Sequence, residues 1–91
     1  MIQIPYTCQL FEEDEQFVAL CPELTVSSFG DTPETALRAL QEVVSIFLEE
    51  CQQMGTLEVV LEEAGYYREL LTQKWVLRQP IQINRLEASF A

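Results

Sequence analysis

Apolar and polar positions alternate along the start of the chain. Ile2, Ile4, Tyr6, Cys8 and Leu10 are separated by Gln3, Pro5, Thr7 and Gln9. That period of two predicts a strand with one apolar face. Pro5 has no N–H to give to a ladder, so the strand start belongs at a sheet edge or goes unpaired. The acidic run Glu12-Glu13-Asp14-Glu15 breaks the alternation and predicts a solvated hairpin turn. Phe17 to Cys21 reads as a second strand closed by Pro22. Leu24 to Phe29 reads as a third, ending at Gly30.

The period then lengthens. Thr32 is placed to cap a helix, and Pro33 suits the first helical position, where a missing N–H costs nothing. Thr35 stands where Glu or Gln would reach back, which leaves the capping box incomplete. Ala36, Leu37, Leu40, Val43, Val44, Phe47, Leu48 and Cys51 recur at steps of three and four, forming one broad apolar stripe. Gly55 fits the C-terminal cap. Thr56 then caps a short second helix from Leu57 to Ala64, stopped by Gly65. Tyr66 to Leu71 reads equally as helix or as extended chain. Lys74 to Leu77 and Ile81 to Leu86 read as strand, split by Pro80.

The resulting order is β-β-β-α-α-β, with room for one further strand. Strands followed by helices predict an α+β fold, a three-to-four-stranded antiparallel sheet with one long helix packed on one face. The 91 residues fit a single domain spanning 1–91 with one modest core. A hydrophobic share of 48% is well above the signature of disorder.

Charge narrows the partners. Fifteen acids against five bases give a formal charge of -10. Such a surface repels phosphate backbones, so direct nucleic-acid binding is not expected. Solubility accounts for the acidity in the simplest reading. Electrostatic steering of a basic protein partner is the sharper one. The opening residues lack the charged start and long apolar run of a secretory leader, and no apolar run reaches the length of a membrane span. A cytoplasmic protein is expected, with Cys8, Cys21 and Cys51 as reduced, buried core residues.

Candidate chemistry is sparse. The chain has no histidine, which removes the commonest general base and metal ligand. The cysteines are too far apart for a C-x-x-C metal site, and no phosphate-cradling glycine loop occurs. Glu12, Glu13, Asp14 and Glu15 are the remaining route to a cation, but they lack the alternating acids and central glycine of a calcium loop. The chain therefore reads as a binding module needing no cofactor or metal, not as an enzyme. Phe11, Phe17, Phe29 and Phe47 read as core. Trp75, Tyr66 and Tyr67 read as core first and as interface second.

One stretch resembles a known family. Phe17-Val18-Ala19-Leu20-Cys21-Pro22-Glu23-Leu24, followed by Gly30-Asp31-Thr32-Pro33-Glu34-Thr35-Ala36-Leu37, resembles the HicB-like antitoxin domain. In that family an acidic turn precedes a strand reading roughly Y-V-A-x-x-P-E-L, and G-x-T-x-x-E-A opens a long amphipathic helix. The likeness covers about residues 5 to 65 well and the tail loosely. Thr25-Val26-Ser27 departs from the Pro-Gly-Cys of many members, and Thr35 from the usual helix-start Glu.

The resemblance implies a partly RNase-H-like fold without catalytic residues and a role in masking HicA, a small basic RNA-cleaving toxin. Full-length relatives append a DNA-binding domain. Here too few residues follow the closing strand for one, so operator binding is not expected. The alternative is an orphan HicB-like module that self-associates, as a homodimer or tetramer, or binds another protein. Charge density selects Glu12, Glu13, Asp14, Glu15 and Glu23 as the partner-binding residues in either case.

Overall fold

The computed structural model describes residues 2–91. Its elements are β1 (Gln9–Glu13), β2 (Gln16–Cys21), β3 (Val26–Gly30), α1 (Pro33–Met54), α2 (Leu57–Glu63), β4 (Tyr66–Arg68) and β5 (Trp75–Leu77). The fold is α+β. β1, β2 and β3 form an antiparallel meander in that order, and β4 pairs with β5 in a separate two-stranded sheet. The closing strands thus make their own hairpin and add nothing to the main sheet.

Asp14 and Glu15 alone join β1 to β2, with φ of 47° and 65°. Two successive left-handed residues make the turn whose twist suits adjoining strands. The register sets Phe11 opposite Val18 and Val18 opposite Phe29, while Leu10, Ala19 and Ser28 form the next row. Paired residues share a face and successive ones alternate. Ala19 and Cys21 therefore face α1, and Phe11, Val18, Leu20 and Phe29 face away.

α1 opens on a closed capping box. The Thr32 hydroxyl accepts from the Thr35 N–H at 3.1 Å, and the Thr32 N–H donates to Thr35 Oγ1 at 3.0 Å. A threonine hydroxyl thus performs the reciprocal bond expected to be missing. Gly30 lies beneath this turn, where an added Cβ would stand 2.6 Å from the Ala36 nitrogen. At the far end Gly55 adopts φ 73°, and the Thr56 N–H donates to the Cys51 carbonyl at 2.9 Å. Thr56 makes no side-chain cap to α2; its hydroxyl donates back to that same carbonyl at 3.3 Å.

At a rise of about 1.5 Å per residue, α1 is roughly 33 Å long, nearly twice a strand of five or six residues. Its N-terminal half closes the main sheet through Ala36, Leu40 and Val44, which form one core cluster with Ala19 and Cys21. A second cluster of Leu61, Tyr66 and Trp75 lies beyond the sheet. Leu24 and Leu48 pack against both clusters and join them. No helix among the described residues is long and apolar enough to cross a membrane.

Several expectations are corrected. The strand expected from Ile2 begins only at Gln9, because β2 stops at Cys21 before Pro22 and offers no partner further back. Residues 2–8 instead form a strap, with Tyr6 on the first cluster and Ile4 on the second. Cys8 is exposed, whereas Cys21 and Cys51 are buried. Phe17 packs against the core, but Phe11 is 48% exposed and Phe29 65%. Ile81 to Leu86 forms no strand, since no sheet edge of its own body meets it.

Candidate functional site

The open face of the main sheet carries exposed aromatic side chains. α1 covers only the Ala19 side. On the other side Phe11, Val18 and Phe29 form a row across three strands, with Leu20 beside it. A soluble surface seldom leaves two phenylalanines so exposed in one row, and such patches mark contact sites. β1 is also a free edge: among the described residues it pairs with β2 alone, and all five of its residues are exposed. Its outward N–H and C=O groups are a template for an added strand.

The acidic turn stands at one end of this surface. Alternation along β1 places Glu12 on the α1 side, opposite Phe17, and Glu13 on the open side, opposite Gln16. Asp14 and Glu15 occupy the tip. The turn thus carries two acids at its apex and one on each face, a diffuse negative rim. Among the described residues no three acidic or thiol side chains converge into a group able to hold a metal ion.

Glu23 has a different task from the one charge density suggested. It is half-buried in the β2–β3 turn. The Thr7 N–H donates to its Oε1 at 3.0 Å and the Thr7 hydroxyl to its Oε2 at 2.5 Å. The Cys21 thiol approaches the same carboxylate at 3.5 Å. Burial acts to raise the Glu23 carboxyl, but the hydrogen bonds from Thr7 outweigh it and hold the group below the ordinary carboxylate range. Both carboxylate oxygens are committed to the strap. Nearby, the buried Tyr66 hydroxyl donates to the Pro5 carbonyl at 2.6 Å. Burial first, then the charge of Glu23, pushes that phenol well above its usual value. Burial likewise raises the Cys21 thiol, the opposite of an activated nucleophile.

A cleft of about 700 Å³ separates the strap from the second hairpin, walled by Ile2, Ile4, Leu57 and Trp75. Arg68 lies over the Trp75 ring at 4.7 Å and pairs with Glu58 at 3.3 Å. The sheet face was not singled out in the sequence, and the edge was indicated only through Pro5, which lies in the strap ahead of β1. Phe11 and Phe29 carried the signal, but periodicity alone does not say which side of a sheet a lone helix covers. No protein-family model matches this chain, and no curated protein or solved structure is significantly similar to it.

Proposed function

We propose that this chain is a HicB-like, antitoxin-type binding module, working in the cytoplasm, that masks a small basic HicA-type toxin. It acts by surface complementarity and carries no catalytic role. One observation supports the docking mode above others: the Phe11–Val18–Phe29 row lies open beside the free β1 edge and the Glu13-Asp14-Glu15 rim. A basic partner would be drawn by the rim and held by strand addition and the aromatic row. Glu12 contributes to the field from the other face, whereas Glu23 serves the fold.

Co-expression with the flanking genes, followed by affinity purification, tests this reading. The expected result is a small basic protein that is toxic when expressed alone and harmless in the complex. Recovery of the chain without such a partner refutes the masking role. A second reading, a module that binds its own kind, is favoured by the exposed apolar residues after β5.

A further inference from the structure

Residues 78–91 have no secondary structure, and every one of them is exposed. Ile81, Ile83, Leu86 and Phe90 are each at least 86% exposed. A solvated tail has no need of four large apolar side chains. The radius of gyration is 15.8 Å, against about 12 Å for a compact body of this length. The tail therefore stands off the body that it follows.

Charge is divided in the same way. Residues 1–77 hold fourteen of the fifteen acids and three of the five bases, a net -11. Residues 78–91 hold the other two bases and one acid, a net +1. Those bases are Arg78 and Arg85, and the acid is Glu87. Two chains of charge -10 repel as whole bodies. The tail is the segment of one chain that the acidic sheet of another would attract.

We propose that residues 78–91 are an exchange arm that docks on a second copy of this chain. Ile81 and Ile83, spaced as alternate residues of a strand, lie along the free β1 edge of that copy. Their side chains extend its Phe11–Val18–Phe29 row. Arg85 lies near the acidic rim. Pro80 has no N–H to give, which suits a residue preceding an added strand. Reciprocal exchange uses the same patch on both copies and closes a two-fold assembly. It also covers a sheet edge that would otherwise invite uncontrolled pairing.

The inference rests on the reading of the open sheet as a docking site, and the test separates the two. Light scattering after size exclusion is run on the full chain, on Ile81→Asp/Ile83→Asp, and on Phe11→Arg. All three positions are exposed, so circular dichroism is expected to show the same fold for each. The proposal expects a dimer or larger closed assembly for the parent chain and monomers for both variants. A parent chain that stays monomeric at every concentration overturns it. An assembly that survives the arm substitutions overturns it too. If Phe11→Arg alone dissociates that assembly, the open sheet remains the docking site and the arm is not its occupant.

Discussion

The Thr7 N–H and hydroxyl both donate to the carboxylate of Glu23, at 3.0 and 2.5 Å, and so tie the N-terminal strap to the β2–β3 turn sixteen residues away. The strap spans the two core clusters through Tyr6 and Ile4, and this latch is one of the anchors that hold it, with the Tyr66 bond to Pro5. Glu23→Gln replaces one acceptor by a donor facing a donor. The expected loss is about 1 kcal/mol of stability at neutral pH.

The latch also sets a pH dependence. The folded Glu23 carboxyl lies below its ordinary value, so folding favours its ionised form. That contribution is complete above the unfolded carboxylate range and fades as pH falls through the lower folded value. Thermal unfolding across mildly acid pH should show the parent and Glu23→Gln converging below about pH 4. A gap that stays constant, or widens with acid, contradicts the latch.

Tyr66→Phe removes the bond to the Pro5 carbonyl while keeping the ring in the second cluster. The expected cost is about 1 kcal/mol. Hydrogen exchange should quicken in residues 3–8 more than in α1, because only the strap loses an anchor. Equal changes throughout the chain would argue for a general loss of packing instead.

Gly30→Ala tests the close approach of β3 to the first turn of α1. The added methyl would meet the Ala36 nitrogen at 2.6 Å and the Thr35 carbonyl carbon at 2.8 Å, and both are backbone atoms that cannot swing aside. About 2 kcal/mol of destabilisation is expected by denaturant titration. At the β1–β2 turn the sign reverses. Glu15 holds φ 65° without being glycine, so Glu15→Gly should stabilise the hairpin by about 0.5–1 kcal/mol.

Replacing Glu12, Glu13, Asp14 and Glu15 together by glutamine or asparagine tests the rim. Association with a basic partner should slow, and its dependence on salt should flatten. Stopped-flow or biosensor on-rates that match the parent chain at low salt would remove the turn from the binding surface.

Sequence pattern reached the elements held by local chemistry. Thr32-Pro33 and Gly55 bounded α1 because caps depend on neighbours only, and Phe17 to Cys21 read as a strand because it is a short apolar run closed by Pro22. It failed where a residue's role depends on a distant partner. Ile4 and Tyr6 alternate like a strand, yet their periodicity serves two clusters and no ladder. Glu23 looked like one more surface acid, since nothing local announces Thr7 as its partner. Thr35 closed a box that the rule reserves for Glu or Gln, because a hydroxyl at that position reaches the same N–H. Phe11 and Phe29 looked like core because two hydrophobic faces on a sheet imply two covers, and this chain supplies one.

On the reading proposed above, proteins dock on the open side of the main sheet, along β1. Hydrogen exchange of the chain, dilute and then in the complex or assembly that it forms, tests this most directly. Slowed exchange is expected across Gln9 to Glu13, whose outward amides gain partners. Protection that appears elsewhere while β1 exchanges as fast as before would contradict it.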